Sequence, residues 1–521
     1  MKQKFTSLLF FFFFLFSFAH AQVATTDTNK VNIIRANFLY LKPEGQLQIL
    51  SGNVQLSQNN TLFYCDSCII NSSANTFEAF GNVHINDSDT TNVYANHLNY
   101  VGNKKMAYLN GNVRLSDGHA TLTTKQLDYD VASKIGTYHN GGKVVNKKSV
   151  LTSREGVYYT DIRDIYFKDN VELKDPAYYL KTDSLLYNTE TQVARFIAET
   201  FIKDSAGKTI TTKEGYYDVA HSRAEFTSRT TIKDKAMTAT GDRIASDDST
   251  GIIQIEGRGV LIDTAQGVNI LANRIFANKK TSAYLATQKP LMIIKQEKDS
   301  LYVTADTLFS ARLTDLYKNS DSLLKLIGVK EKDSTNRYFE AFRHVRIFSD
   351  SMQAVSDSMF YSFKDSIFHL YQNPVVWSRK SQMTGDTIYL YTKNKKADKI
   401  RTFENSFMVN EVQPGVYNQV KSTRLDGYFK EGVIDSVRAR GAAESVYFIQ
   451  DKDSAFTSVN KTSSDVLDVF FLKGEVYKVI LRSSVKGTLF PISKKHPSEM
   501  HLQNFQWLEE KRPKTKYELF E

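Results

Sequence analysis

Along most of this chain apolar and polar residues alternate with a period of two, in short runs broken by glycine, asparagine or aspartate. Such alternation gives a strand with one dry and one wet face. The breaks themselves recur. Gly52-Asn53-Val54, Gly81-Asn82-Val83 and Gly111-Asn112-Val113 are spaced 29 and 30 residues apart, and a fixed period of this size marks stacked β units that share one continuous core. In the second copy Phe77, Ala79, Gly81, Val83 and Ile85 share one phase, with Asn82, His84 and Asn86 on the other. The third copy repeats this with Met106, Tyr108, Val113 and Leu115, the phase changing across 110–112. Gly and Asn at the breaks permit positive φ, for a tight corner or a bulge.

A second kind of strand follows each polar break, as in Val93 to Tyr100 after Asp87-Ser88-Asp89. Val93 and Ala95 lie in one phase, Leu98 and Tyr100 in the other, so the chain turns a corner at Asn96-His97. Related ends recur at Leu127-Asp128-Tyr129, Asp183 to Tyr187, Asp306 to Phe309, Asp357 to Tyr361 and Asp386 to Tyr389. Weaker copies of the valine strand begin at Asp169-Asn170-Val171, Gly259-Val260 and His344-Val345. The degenerate repeat thus covers roughly residues 32 to 400. The repeated aspartates read as turn caps that accept backbone N–H groups; single acids spread along a stack do not make a catalytic pair.

The N-terminus differs. Lys2 and Lys4 precede an apolar run from Phe5 to Phe18, closed by Ala19-His20-Ala21, the pattern of a secretory signal cut after Ala21. The run is shorter than the roughly 20 residues that span a bilayer. The expected organisation is a signal peptide at 1–21, a first β region at 22–314, a linker or short helix at 315–335, a second β region at 336–490, and a polar C-terminal tail at 491–521 anchored only by Trp507. That tail either covers an open end of the sheet or stays mobile.

Composition narrows the chemistry. Only 8 prolines interrupt 521 residues, as a long regular sheet requires, because proline removes a ladder donor. Without Lys2 and Lys4 the formal charge of +10 falls to about +8, and the charges are mixed rather than gathered in the basic stripe that nucleic acid demands. No nucleic-acid partner, cofactor, metal site or catalytic residue is expected, and the chain does not read as an enzyme. Cys65 and Cys68 fit a local disulfide poorly, since i and i+3 on a flat strand face opposite sides.

The signal peptide, the Gly-Asn-Val strand starts and the Ala-x-x-Leu-x-Tyr end at Ala95, Leu98 and Tyr100 resemble the OstA/LptA-like lipopolysaccharide transport family, in particular the long Bacteroidetes-type OstA-like proteins. The resemblance implies an all-β fold of repeated antiparallel strands, an elongated folded β-jellyroll (β-taco) with an apolar interior groove. It implies transport of lipopolysaccharide through the periplasm to the outer membrane, with acyl chains in the groove. The groove would be lined by Val54, Leu56, Val83, Ile85, Leu98, Tyr100, Val113 and Leu115. Implied partners are lipopolysaccharide or lipid A, other lipopolysaccharide transport proteins met through strand edges, and further copies joined head to tail. The chain departs from the compact bridge protein of that family by its length.

Two other readings compete. A structural or adhesive β-solenoid at the cell surface requires a filled core and no bound lipid. A carbohydrate-active β-helix requires a cluster of Asp, Glu, Arg or Lys on one exposed sheet face.

Overall fold

The computed structural model describes residues 30–519 except 43–46, 89, 296–299, 317–335, 394–395, 431, 452, 454 and 493–499. The expected signal peptide and almost all of the expected linker lie outside the described residues. Forty strands account for nearly all regular structure, and they divide into two compact units, 1–140 and 141–521.

The first unit holds β1 (Asn32–Arg35), β2 (Phe38–Leu41), β3 (Leu47–Gln58), β4 (Thr61–Asn71), β5 (Thr76–Asp87), β6 (Thr91–Val101), β7 (Met106–Ser116), β8 (Thr121–Asp130) and β9 (Ile135–Tyr138). From β3 to β9 each strand pairs antiparallel with the next. Every long strand is creased once. The register breaks between Ser51 and Val54, Phe80 and Val83, and Asn110 and Val113. At those points Gly81 and Asn82 have φ of 71° and 44°, and Gly111 and Asn112 have 76° and 49°. Two successive left-handed residues turn the strand and re-phase it, so the apolar positions on both sides of the crease meet one interior.

At the crease the two strand types interlock. A Cβ on Gly81 would stand 2.3 Å from Asp66 Oδ2, the side chain that accepts a hydrogen bond from Asn82 Nδ2 at 2.9 Å. The second unit repeats this clasp with other residues. Arg258 donates to Asp242 at 2.9 Å, His344 Nδ1 lies 3.0 Å from Asp306, and Asn405 donates to Asp386 at 3.0 Å. In each case the aspartate's own N–H also bonds a carbonyl of the crease, Gly257, Arg343 or Phe403. The aspartates expected as turn caps at 306 and 386 therefore hold creases instead. Arg343-His344 and Glu404-Asn405 take positive φ without any glycine, which is why the sequence motif fades there.

The interior is closed. In the second unit the antiparallel pairings run through ten strands and return to their start. From Tyr178–Asn188 the circuit passes through Val193–Phe196, Gly215–Asp218, Arg223–Phe226 and Arg243–Asp247 to Ile252–Asp263. It returns through Met237–Gly241, Thr230–Asp234, Thr209–Thr212 and Thr200–Asp204. Leu180, Leu185, Phe226, Ile244 and Ile255 fill this barrel at zero exposure. Buried threonines line its bend. Thr200 Oγ1 lies 3.0 Å from Thr182 Oγ1 and 2.9 Å from the Ala198 carbonyl, and Thr212 Oγ1 lies 2.7 Å from Thr230 Oγ1. Each hydroxyl thus meets a partner where the strand leaves its ladder, which removes the cost of burying it dry.

This overturns the expected open β-taco. The strands are all antiparallel, but they close into a barrel with a packed centre, not an elongated jellyroll around an apolar groove. One phase assignment also changes: Ala107 and Leu109 are buried while Met106 and Tyr108 face outward. The crease at Asn110 to Asn112 reverses the side on which the first half of β7 packs.

Two predictions follow from the creases. Gly81→Ala forces a Cβ against Asp66 at a positive φ and should destabilise the first unit by about 1–3 kcal/mol, read from the chemical-denaturation midpoint. In the second unit, hydrogen bonds from Arg258 and then Arg229 hold the Asp242 carboxyl down to about 2. Its stabilising effect is complete above the ordinary carboxylate range near 3.9 and fades as pH falls toward 2. The stability gap between wild type and Asp242→Asn should therefore shrink steadily between pH 4 and pH 2.

Candidate functional site: a sealed interior, open strand edges and a C-terminal strap

All eight residues proposed to line a groove lie in the interior of the first unit. Leu56, Ile85, Leu98, Tyr100 and Leu115 have zero exposure, and Val54, Val83 and Val113 have 1%. They pack on one another rather than on an opening. Phe63, Phe77 and Tyr100 cluster edge-on and tilted, with ring centroids 4.7–5.2 Å apart.

The rim opposite the creases is bolted shut by polar groups. Tyr100, on the half of β6 that pairs with Phe77, donates its hydroxyl to Gln58 Oε1 at the tip of β3. Gln58 Nε2 in turn donates to the Gly102 carbonyl at 3.2 Å. One rung on, Tyr129 donates to Asp87 Oδ2 at 2.7 Å and Thr61 to Asp87 Oδ1 at 3.1 Å. Gln58 and Asp87 are each 2% exposed. These bonds join the two halves of the fold where a lipid would have to enter, and breaking one would strand a buried polar group.

The lipid-conduit function is corrected accordingly: a sealed core gives acyl chains no channel, so groove-borne lipopolysaccharide bridging is overturned. A cavity between Met408, Val420, Val446 and Leu467 measures about 20 Å³, room for a single water. A wider surface pocket of about 480 Å³ is lined by both kinds of side chain, polar at Thr264, Gln266, Asn336 and Ser366 and apolar at Ile294, Tyr361 and Phe363.

The rim was half legible. Tyr100 and Tyr129 end recurring motifs, but Gln58 and Asp87 sit at strand tips where sequence alone suggests only turns.

The ends of the ladders are open. Among the described residues β1 and β2 pair only with β3, β1 along its second half and β2 along its first. Ile33 stands opposite Leu56 and Leu39 opposite Leu50, so their side chains belong to a last core layer that, among the described residues, no further strand covers. Phe38 is 72% exposed, Tyr40 62% and Ile34 51%. At the other end of the chain Glu475–Arg482 and Lys486–Pro491 pair only with Phe456–Leu472 among the described residues.

The C-terminal segment is a strap. Residues 500–519 lie along the outer face of strands in the second unit, and two glutamines there read the strap's backbone in the same way. Gln419 donates to the Met500 carbonyl at 3.0 Å and accepts from the Leu502 N–H at 2.8 Å. Gln382 donates to the Gln506 carbonyl at 2.9 Å and accepts from the Leu508 N–H at 2.8 Å. Each primary amide thus imitates one rung of a β ladder. Gln353 accepts from Arg512 at 2.8 Å. Leu502, Phe505 and Trp507 pack on Phe407, Val409 and Val446, and Leu519 on Leu291 and Phe348. Trp377, the register partner of both Gln353 and Gln382, is completely buried. Sequence reading gives this stretch a polar tail, anchored by Trp507, that either covers an open end of the sheet or stays mobile; the missed signal is Val375-Val376-Trp377, apolar in both phases, which marks a strand buried on both faces.

Among the described residues no group of three His, Cys, Asp or Glu side chains is placed to hold a metal. Cys65 and Cys68 are free thiols. The crease at Asp66 turns both into the interior, contrary to the flat-strand expectation, and a hydrogen bond from Cys68 holds the Cys65 thiol below its ordinary value.

Replacing Gln382 and Gln419 by Ala should leave the barrel folded but loosen the strap. Limited proteolysis should then release the C-terminal segment at least 10-fold faster than from wild type, the equivalent of about 1.4 kcal/mol of local opening.

Comparison with known proteins places these features. The family described as OstA-like protein matches residues 28–183, under a third of the chain. Among solved structures, LptH of Pseudomonas aeruginosa, the LptA-homologous periplasmic component of that organism's lipopolysaccharide transport device, is similar at 14% identity. The likeness covers 21% of this chain and 83% of LptH, with a TM-score of 0.19. No curated protein matches the chain. Over residues 28–183 the chain is a distant relation of the OstA-like family.

Proposed function

We propose that this protein is a structural or adhesive β assembly of the cell envelope, with a closed core, that acts through its strand edges and outer faces. The observation that carries the reading is the filled interior: Leu56, Ile85, Leu98, Tyr100 and Leu115 are wholly inaccessible, and the rim above them is hydrogen-bonded shut. The distant relation to an OstA-like family over residues 28–183 fits an extracytoplasmic site, periplasmic or at the outer membrane.

Strand-mediated contact is the second part of the proposal. The layer formed by Ile33, Phe38, Leu39 and Tyr40 exposes apolar side chains beside unpaired backbone groups. That combination favours pairing with another edge, either a second copy or a different envelope protein. No reacting group is required, and the work is load transfer and cohesion.

Purifying the mature chain and extracting it with organic solvent should yield no stoichiometric amphiphile. Recovery of about one lipopolysaccharide per chain, abolished by Val83→Asp without unfolding, would overturn the closed-core reading. Phe38→Lys with Tyr40→Lys should weaken edge-mediated association at least 10-fold in sedimentation equilibrium, while chemical stability stays within about 0.5 kcal/mol of wild type, as for exposed substitutions.

A further inference from the structure

Five of the last six strands in the second unit share a cation-rich outer face. Lys396–Gln413, Val416–Lys430, Val433–Gln450, Phe456–Leu472 and Glu475–Arg482 pair side by side in that order. Their inner positions, Ile400, Leu425, Val437 and Leu467, are buried at 0–1% exposure. The alternate positions form three rows across the sheet. In one row Arg401, Asp426, Arg438 and Asp468 are successive register partners. A second contains Arg424, Arg440 and Arg482, and a third Lys399, Tyr428, Phe470 and Lys478. Seven cations therefore share these rows with two carboxylates.

Neither carboxylate is available to solvent. Asp426 is 1% exposed and Asp468 3%. Arg401 Nε lies 2.7 Å and Arg424 Nη2 2.8 Å from Asp426, and Arg438 Nε lies 2.6 Å and Arg482 Nη2 3.0 Å from Asp468. Burial alone would raise the Asp426 carboxyl, but hydrogen bonds from Arg401 and Arg424 outweigh it and hold the group low. The two aspartates act as pegs that each fix a pair of guanidinium groups. A guanidinium has five N–H donors, and each pair leaves several facing outward. Arg440 and Lys478 are exposed.

Aromatic rings stand among the cations. Lys399 Nζ lies 5.6 Å from the Tyr391 ring centroid and 5.5 Å from that of Tyr428, and Lys478 Nζ lies 5.8 Å from Phe470. Tyr428 is 40% exposed. The rows are held by ladder hydrogen bonds, with Arg401 and Arg438 two strands apart, about 10 Å at the usual strand spacing. It presents no helix or ribbon to enter a nucleic-acid groove. Rows of prefixed guanidinium forks suit carboxylates, which they bind in bidentate fashion, and flat rings between them suit the apolar faces of sugars.

We propose that this face binds an acidic polysaccharide of the polyuronate class, its carboxylates on the arginine rows and its sugar rings over Tyr428 and Phe470. The proposal rests on the adhesive reading and supplies its ligand class. It also answers the carbohydrate-active alternative: a charged cluster on one exposed face exists, but its carboxylates are locked in ion pairs and no acid–base pair is free to cleave a glycosidic bond.

The test uses the full mature chain on immobilised alginate, neutral dextran and duplex DNA. Alginate should be retained, the affinity should fall as salt rises, and dextran should not bind. Arg440→Glu with Lys478→Glu, neither of which touches a buried aspartate, should weaken alginate binding at least 10-fold. Lys203→Glu with Lys233→Glu, the same charge change on other strands, should not. Absence of alginate binding, equal retention on dextran, tighter binding to DNA, or indifference to the first pair of substitutions would each overturn the proposal. Lipid extraction of the same preparations separates the two readings. A lipid-free protein that ignores alginate defeats only this ligand, and a lipid-loaded one defeats the closed core itself.

Discussion

The crease is the constraint on which the rest of the structure depends. A straight strand has one apolar face, and stacking straight strands gives a sheet whose dry side still needs a cover. Two consecutive residues at positive φ, such as Gly81 and Asn82, bend the strand and shift its phase by one position. Both halves of the same strand then cover each other. Each aspartate clasp, at Asp66, Asp242, Asp306 or Asp386, fixes that bend from the neighbouring strand. Exposed clasps of this kind contribute little individually. Their value lies in recurrence, at the creases of β5, Ile252–Asp263, Arg337–Phe348 and Lys396–Gln413, where they fix local register.

What the sequence discloses follows from this. Where the crease uses glycine and asparagine, at 52–53, 81–82 and 111–112, the motif is visible and strand positions can be read from it. Where arginine, histidine or glutamate adopt the same backbone, at 343–344 and 404–405, nothing in the local chemistry announces a bend; tertiary pairing imposes it. The phase of β7 was misread on the near side of its crease because Met106 and Tyr108 are large and apolar, while the true core positions, Ala107 and the flanking Leu109, include a small residue. The inward position of Val54, Val83 and Val113 was legible. Whether that interior was hollow was not, because the decision lies with Gln58, Asp87 and their tyrosine partners, which belong to strands about 42 residues apart.

The same limit applies to the C-terminal strap. Its side chains look polar in sequence, and only the partner face, with Phe348, Trp377 and Phe407, explains why it is ordered. Glutamine is well suited to this task. Its amide sets N–H donors beside a carbonyl acceptor at the separation of a peptide group, so Gln382 and Gln419 extend the ladder by one step to a segment that has no strand of its own. Burying these amides without the strap would cost the unpaired polar groups of both, so the strap and its face stabilise one another.

A closed core shifts every functional question to the surface. With Tyr100 and Tyr129 bolting the rim, the interior contributes cohesion and nothing passes through it. The surface is not uniform, and its differences match what each part leaves unsatisfied. The β1–β2 edge has unpaired backbone beside exposed apolar side chains, a demand that another strand can meet. The face over Phe348 and Trp377 has already been met by the chain's own C-terminus. The face around Arg438 and Arg440 satisfies its two buried carboxylates and keeps further cationic groups in water, where an external anion can engage them. Two of these three faces thus remain open to other molecules, as the proposed structural or adhesive role requires.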